Sequence, residues 1–450
     1  MEIVERMRAD WDRRAREDAY YYTGFSHRGQ SSSEFLVSAA NIIPAFEAEL
    51  KRLPHGDGSV LRALEIGCGP GRLMAAMSRH FGEIHGVDIS GEMVQLAEMN
   101  LKDIPHAYVH LTPASNLEMF PGGSFDFVYS YAVFQHIPSR EIVLCYLQEA
   151  ERVLKPRGIH CCQLRGEAPA PSQEHQSPTW TGCVIEWKDI LELLERTGLQ
   201  VVAASGLRTQ YFMVTFRKRD TTGTALTREH SPTLLGISSA SGHAKEVYQK
   251  GPGAAVSLWM RGLLSNASLL DFEVTFSGNP GFPCYISPEM GEAGYQVNVL
   301  LPEGIESGEI EVVTRFRGTP LSPSFTVEVN RTSTSPAAFV SVADGDNLGW
   351  RNIRGDFLKA TLENIEDPKA VVFLIDGDIS NPAEFDCIDR VTSKYVFSLK
   401  LPPDTPDGNH LLRTLVGETE LPPVSISIER LRAQSPAAVA KARSAEHPPS

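Results

Sequence analysis

What this 450-residue chain lacks narrows its class first. Cysteine is scarce, seven residues in all, an odd number without a C-x-x-C pair. A disulfide framework and a structural zinc site are therefore not expected. No apolar run reaches the roughly 18 residues that a membrane-spanning helix needs. The first residues, MEIVERMRADWDRRARED, have no apolar centre, so no secretory leader is expected and a reducing cytoplasm is the expected setting. Positive charge is also short. Forty-two Lys and Arg stand against 56 Asp and Glu, a formal net charge of −14. Such a surface repels nucleic acid and anionic lipid, and neither is an expected partner.

The length fits about three domains at roughly 150 residues each, and the texture changes along the chain. Residues 1–220 hold 11 of the 30 prolines, and the remainder holds most of the acidic excess. The polar stretch Lys218–Arg228 (KRDTTGTALTR) reads as a linker. Before it, apolar strand-like runs alternate with helical periodicity. After it, short strands are punctuated by Pro and Gly.

In the first part, Val60–Ile66 is an apolar run ending in Gly67-Cys68-Gly69-Pro70-Gly71. Helical spacing of Leu73, Met74, Met77 and Phe81 follows over Arg72–Phe81. A strand, a glycine turn and a helix open a βαβ unit, the glycines letting backbone approach a ligand closely. Ile84–Asp88 reads as the second strand. Asp88 stands 21 residues beyond Gly67, the spacing at which a carboxylate meets ribose hydroxyls. A dinucleotide fingerprint would need a small residue where Arg72 stands, and there is no G-K-[ST] for a P-loop. The loop suits a nucleoside ligand without phosphate. Downstream come a strand at Ser124–Ser130, a helix at Ser139–Leu154 with Ile142, Leu144, Leu147, Ala150, Val153 and Leu154 as its apolar side, a stop at Lys155–Gly158, and a strand at Ile159–Leu164. A helix at Glu186–Thr197 and strands at Leu199–Ala204 and Gln210–Arg217 complete this part.

Four ordered segments carry a resemblance: LEIGCGPGR at 64–72, VDIS at 87–90, SFDFVYS with VFQHI over 124–137, and LKPRG at 154–158. Together they resemble the class I S-adenosylmethionine-dependent methyltransferases, in the small-molecule branch related to ubiquinone-type enzymes. The likeness implies a Rossmann-like seven-stranded α/β domain with an antiparallel last strand, and S-adenosyl-L-methionine as cofactor. It implies that Glu65, Gly67, Cys68, Gly69 and Gly71 cradle the methionine side and that Asp88 anchors the ribose. Ile89 and Met93 would wall the adenine slot, Ala114 and Ser115 would line the adenine amine, and Ser130 and Tyr131 would pass under the methionine moiety. Pro113 stands where relatives often carry Asp, which leaves the amine to backbone carbonyls or Ser115.

Other roles stay open at this level. His136 reads as a general base or as a structural wall of the pocket, and Gln135 as a loop-orienting or ligand-touching residue. Trp11, Tyr20, Tyr21 and Tyr22 precede the first strand, so residues 1–34 form a lid over the site or a helix merely packed on the domain. Acceptor specificity is expected in Gly166–Cys183, where Trp180 would pack on the acceptor or on the lid. Cys161 and Cys162 read as core. The [DN]-P-P-[YFW] tetrapeptide of adenine amino-methyltransferases is absent, Ser130-Tyr131-Ala132 standing in its place.

The second part is a duplication. Tyr295/Tyr395, Leu301/Leu401, Pro302/Pro402, Gly308/Gly408, Thr314/Thr414, Leu321/Leu421 and Pro323/Pro423 pair at an offset of 100 residues. Short strands at such spacing fit two β-sandwiches, and both copies resemble bacterial immunoglobulin-like modules of the IPT/TIG kind. Cys284 and Cys387, one in each, leave no intradomain bridge. Asp344, Asp346, Asp376 and Asp378 read as turn formers, and no metal site is expected.

The expected chain is thus multidomain: a lid segment at 1–34, a methyltransferase domain at 35–220, a linker at 221–229, all-β modules at 230–330 and 331–430, and a disordered tail at 431–450. The expected activity is methyl transfer to a small molecule, glycan, lipid-linked intermediate or protein, with modules that recruit the acceptor or self-associate. The alternative is a scaffold that keeps the fold without turnover.

Overall fold

The computed structural model describes residues 3–24, 28–53, 58–112, 116–167, 178–220, 232–240, 246–249, 254–330, 337–344, 351–353, 357–365, 367–380, 382–389, 393–402 and 404–429. In the N-terminal part, strands β1 (Arg62–Ile66), β2 (Glu83–Asp88), β3 (Ala107–Leu111), β4 (Phe125–Ser130) and β5 (Leu154–Leu164) run parallel in the order β3-β2-β1-β4-β5. After β6 (Leu199–Ser205), strand β7 (Phe212–Lys218) inserts antiparallel between β5 and β6. The order reverses at β1, which has β2 on one side and β4 on the other. Ligands of open α/β sheets bind at such a reversal, beyond the carboxyl ends of the strands.

Helices cover both faces of this sheet, which is why β1 is buried from Ala63 to Ile66. The pleat sends Ala63, Phe127 and Ile159 into one apolar cluster and Leu64, Val128 and Cys162 into another. The helices are α1 (Ile3–Gly24), α2 (Ser32–Val37), α3 (Ile43–Leu50), α4 (Arg72–Met77), α5 (Gly91–Leu101), α6 (Arg140–Val153), α7 (Pro178–Thr181) and α8 (Trp187–Arg196). Ser139 caps α6 by accepting from the Ile142 amide, and Val143, Tyr146, Leu147, Ala150 and Val153 form its buried stripe.

Three expectations change here. The α6 stripe is turned from the expected one, with Val143 and Tyr146 inward and Ile142 and Leu144 only partly buried. The segment LKPRG does not separate helix from strand. It lies within β5 as a bulge between the Phe125–Leu154 and Phe127–Ile159 pairs, with Arg157 at φ 67°. And the α4 helix ends at Met77, a 3-10 turn over Ser78–His80 completing the expected span.

The first C-terminal module comprises β8 (Thr233–Ser239), β9 (Glu246–Tyr248), β10 (Ala255–Arg261), β11 (Phe272–Phe276), β12 (Asn279–Pro280), β13 (Phe282–Ile286), β14 (Tyr295–Leu300), β15 (Gly308–Phe316) and β16 (Thr319–Asn330). They form one layer in the order β13-β14-β10-β8 and another in the order β12-β11-β15-β16-β9. The second comprises β17 (Ala338–Asp344), β18 (Asn352–Ile353), β19 (Phe357–Glu363), β20 (Val371–Ile375), β21 (Asp378–Ser380), β22 (Pro382–Asp389), β23 (Lys394–Lys400), β24 (Gly408–Val416), β25 (Thr419–Glu420) and β26 (Val424–Ile428). Its layers run β22-β23-β19-β17 and β21-β20-β24-β26-β18, with β25 beside β24. The sequence repeat is therefore a repeat of strand order. Gly308 and Gly408 both take positive φ, 127° and 138°, a region open to glycine, which accounts for their pairing in the repeat.

The seven-stranded sheet does not stop at β6. Ala203 pairs with Tyr285 of β13, so the first module continues it to eleven strands. Around that seam Trp187 meets Phe282 edge-on at 5.0 Å, the Ser268 hydroxyl donates to Val201 O (3.1 Å), and Arg217 donates to Ala267 O (2.5 Å). Arg52 lies over the Tyr285 ring and donates to Ile286 O. One continuous apolar cluster runs from Leu64 through Leu199 to Phe272 and Val327, whereas the second module has its own. The expected linker at 221–229 and tail at 431–450 lie outside the described residues.

Candidate active site

The glycine loop after β1 is fixed by backbone. The Gly67 and Cys68 amides both donate to Val87 O, at 2.8 and 3.0 Å, and the Gly71 amide donates to Cys68 O (3.0 Å). Gly67 sits at φ +73°, where a Cβ would lie 2.4 Å from Val133 Cγ2, so no larger residue fits. The Asp88 carboxylate closes the arrangement at the end of β2. It accepts from the Gly69 amide through Oδ2 and from the Ser90 amide through Oδ1, each at 2.9 Å. Burial holds its pKa up at about 6.

Loop and carboxylate line a cleft enclosing about 870 Å³, open space at its mouth included. Glu65, Gly67, Cys68, Gly69, Asp88, Ile89, Met93 and Tyr131, all singled out in the sequence, line it. Gly71 does not. It caps α4 at φ +86° and packs toward Leu101. Ser130 is fully buried at the end of β4, away from the lining, its hydroxyl without a hydrogen-bond partner. Ala114 and Ser115 lie outside the described residues. Glu65 accepts from the Tyr129 hydroxyl at 2.8 Å, and burial raises its pKa to about 8. Arg72 opens α4 from a buried position on the cleft wall and donates to Ser38 Oγ (3.3 Å).

Helix α1 crosses the cleft, contributing Met7, Trp11, Tyr22 and Thr23 to its wall. Polar contacts fasten it to the β2–α5 turn. Ser90 Oγ donates to Asp12 (2.6 Å), Arg8 donates to Ile89 O (3.3 Å), and Arg16 pairs with Glu92 (2.9 Å). The helix kinks at Asp18, whose carboxylate accepts from the Tyr21 and Gly29 amides. Of the three tyrosines only Tyr22 reaches the cleft. Tyr20 stacks on Phe35 at 4.6 Å and donates to Asn100, and Tyr21 packs edge-on to Tyr22 with Arg28 over its ring.

His136, Gln135 and Trp180 stand behind the wall, not in it. His136 is buried, with Nδ1 donating to Trp180 O (2.6 Å) and Nε2 accepting from the Gln135 amide (3.1 Å). Gln135 Oε1 accepts from Gln163, whose own Oε1 accepts from the Ala132 amide. Burial lowers the His136 pKa to about 4, so the ring is neutral and both nitrogens are engaged. That geometry corrects the general-base reading: His136 is a strut between Ala132–Gln135 and Trp180. Trp180 in turn packs on Trp11 (6.4 Å) and Tyr22 (5.9 Å), both on α1.

Several lining residues carried no signal as site residues. Phe35 sits on a short helix, Thr112 just past β3, and Tyr146 on the α6 stripe, where aromatic character reads as core. Val133 and Ile137 lay within a noted motif, and only the fold turns them inward. Among the described residues no cluster of His, Cys, Asp and Glu could hold a metal, and no helix is long and apolar enough to cross a membrane. Among the described residues Cys68, Cys145, Cys161, Cys162 and Cys183 are in no disulfide, and the Cys284 thiol donates to Asn298 O (3.4 Å).

Comparison with known proteins adds an independent observation. Residues 64–162 match the family described as methyltransferase domain. The N-terminal part carries a methyltransferase domain. Similar curated proteins include a ubiquinone biosynthesis O-methyltransferase of Photorhabdus laumondii, 29% identical over 99 residues, covering 22% of this chain and 40% of the relative. A 2-methyl-6-phytyl-1,4-hydroquinone methyltransferase of Synechocystis is 26% identical over 200 residues, covering 40% and 60%. The chain thus spans about half the length of these relatives. Among solved structures, phosphoethanolamine N-methyltransferase 1 of Haemonchus contortus is 14% identical at a TM-score of 0.39, over 50% of this chain and 51% of that one. The match runs from Leu64 in β1 to Cys162 in β5, so α1, α2 and α3 precede it and β6 and β7 follow it.

Proposed function

We propose that the methyltransferase domain transfers a methyl group from S-adenosylmethionine to an acceptor held beneath α1. The cofactor is S-adenosylmethionine, and the cleft fits it on three counts. The Gly67–Gly69 backbone lines the cleft, with Gly67 packed so closely on Val133 that no Cβ fits, a carboxylate stands at the tip of β2, and Ile89 and Met93 supply apolar walls beyond that carboxylate. Asp88, held by two backbone amides, is the observation that carries this reading. It keeps lone pairs for two adjacent hydroxyls, while Glu65 and the Gly67–Gly69 backbone would hold the methionine end.

When bound, the cofactor supplies an activated methyl on its sulfonium. The chain's own part is to position and to exclude water. Trp11, Met7 and Tyr22 roof the cleft, and Phe35, Ile137 and Tyr146 add apolar surface where an acceptor would lie. The acceptor is thus read as presenting an apolar part, and the acidic charge of the chain argues against nucleic acid. The C-terminal modules are read as immunoglobulin-like. The order β8-β10-β14-β13 facing β16-β15-β11 corresponds to strands A-B-E-D and G-F-C of such sandwiches, and the second module repeats it. Their proposed role is acceptor recruitment or self-association.

Calorimetry with S-adenosylmethionine tests this reading. Binding is expected, and Asp88→Ala should weaken it about 10- to 100-fold by removing a charged hydrogen-bond acceptor. Affinity should also fall as pH drops through about 6, where Asp88 protonates. No binding by the full chain at high micromolar cofactor, or wild-type affinity in Asp88→Ala, would sink the proposal.

A further inference from the structure

We propose that Arg72, with the Tyr131 hydroxyl, is the receptor for the carboxylate at the methionine end of the cofactor. This rests on the methyl-transfer reading and adds to it a residue outside the glycine loop and the ribose anchor. In the sequence Arg72 serves only to exclude a dinucleotide fingerprint. The structure gives it a place. Arg72 follows Gly71 directly at the start of α4, Tyr131 follows the end of β4, and both side chains line the cleft. Among the described lining residues Arg72 is the only Lys or Arg.

Its surroundings leave it short of partners. Arg72 is 6% exposed, and its one hydrogen bond, from Nη1 to Ser38 Oγ, is long at 3.3 Å. The guanidinium carbon lies 5.7 Å from the centre of the Phe35 ring. No other hydrogen bond and no ion pair reaches it among the described residues. A guanidinium carries five N–H donors in a fixed fork. Neither Nε nor Nη2 is among the sealed, unpartnered atoms of the interior, so both keep contact with the open space of the cleft. Tyr131 repeats the pattern. Its ring packs edge-on to Phe46 at 6.3 Å, and its hydroxyl has no partner among the described residues and is not sealed.

A buried guanidinium calls for an anion. The chain offers Glu65, close enough for its charge to act on Arg72. That carboxyl already accepts from the Tyr129 hydroxyl, and burial raises its pKa to about 8. At neutral pH Glu65 is therefore mostly protonated, and Arg72 stands without a countercharge. A ligand carboxylate supplies it. The guanidinium fork matches two carboxylate oxygens, and the Tyr131 hydroxyl adds a third donor. An α-amino acid end carries an ammonium and a carboxylate on one carbon. Glu65 and Arg72 present the complement side by side, next to the glycine loop. An acid group on the acceptor would need the cation but not the carboxyl beside it.

Calorimetry of the full chain with S-adenosylmethionine and with decarboxylated S-adenosylmethionine, which differ only in that carboxylate, tests this. The wild-type chain should bind the first about 10- to 100-fold more tightly, the range of hydrogen bonds to charged groups. Arg72→Met, similar in length and uncharged, should cut the preference to about 3-fold or less. It should do so by weakening S-adenosylmethionine alone, and affinity for the decarboxylated ligand should not fall. Tyr131→Phe removes one donor and should reduce the preference about 3- to 10-fold, which keeps the test alive should Arg72→Met fold poorly. A purely structural Arg72 would weaken both ligands alike. That result, an intact preference in the folded variants, or equal binding of the two ligands by the wild-type chain would overturn the proposal and leave the methyl-transfer reading standing. A wild-type chain that binds neither ligand would sink both.

Discussion

His160 lies at the middle of β5 with no solvent exposure, and neither ring nitrogen has a hydrogen-bond partner. Phe216 packs near it at 5.9 Å, and burial alone pushes its pKa down to about 3. In the unfolded chain it titrates near 6.5, so between about 6.5 and 3 the unfolded state binds the extra proton. Stability is therefore complete above pH 6.5 and is lost as pH falls through that window, with His136 adding in the same direction from its pKa of about 4. Replacing His160 by Leu removes two unpaired polar atoms and should stabilise the chain by about 1–3 kcal/mol. It should also flatten the decline of Tm between about pH 7 and pH 5, and an unchanged slope would refute the assignment. The sequence shows His160 inside an apolar run. Its two bare nitrogens depend on the cross-strand neighbours Val128 and Phe216, which only the sheet order brings to its sides.

Helix α1 poses a different problem at the scale of the element. It buries Met7, Arg14, Ala15 and Ala19, a stripe interrupted by a cation. Arg14 lies 4.8 Å from the Trp11 ring and 5.3 Å from that of Trp180, and donates to Thr179 Oγ1 (3.1 Å) and Thr179 O (3.4 Å). Thr179 in turn donates to Asp10 (2.6 Å), so α1 and α7 are bolted together. Arg14→Ala should cost about 1–3 kcal/mol locally. Amide exchange should rise roughly 10-fold or more across Ile3–Gly24 and Pro178–Thr181, with Tm of the sheet scarcely moved. Uniform protection in the variant would show that the bolt is idle. That the aromatic-rich N-terminus packs near the cleft was legible, but which tyrosine faces inward was not. The kink at Asp18 resets the helical phase between Trp11 and Tyr22, and periodicity cannot be carried across it. The four motifs of the methyltransferase domain were legible because loop geometry demands particular residue types, such as glycine at φ +73°. Tyr146 and Phe35 were not, since any apolar side chain satisfies both core and cleft wall.

For the whole molecule, the change in proline content and the 100-residue repeat revealed where one architecture gives way to another. They did not reveal that the two are joined. The seam is a backbone pairing between Ala203 and Tyr285, and strand-edge hydrogen bonds leave no side-chain signature in sequence. A chain cut after residue 220 would expose the β6 edge and strip Trp187, Arg217, Gln200 and Val201 of their partners in the first module. Losing about 3 kcal/mol of such contacts should lower Tm by roughly 10 °C and invite association through the bared edge. A cut after residue 330 removes only the second module, whose apolar cluster is its own. That chain should keep the Tm of the remaining core and the full cofactor affinity. Thermal unfolding and calorimetry on both truncations decide the matter. Equal stability of the two would mean that the seam contributes nothing, and the first module would then be an attachment to the N-terminal sheet and not part of its core.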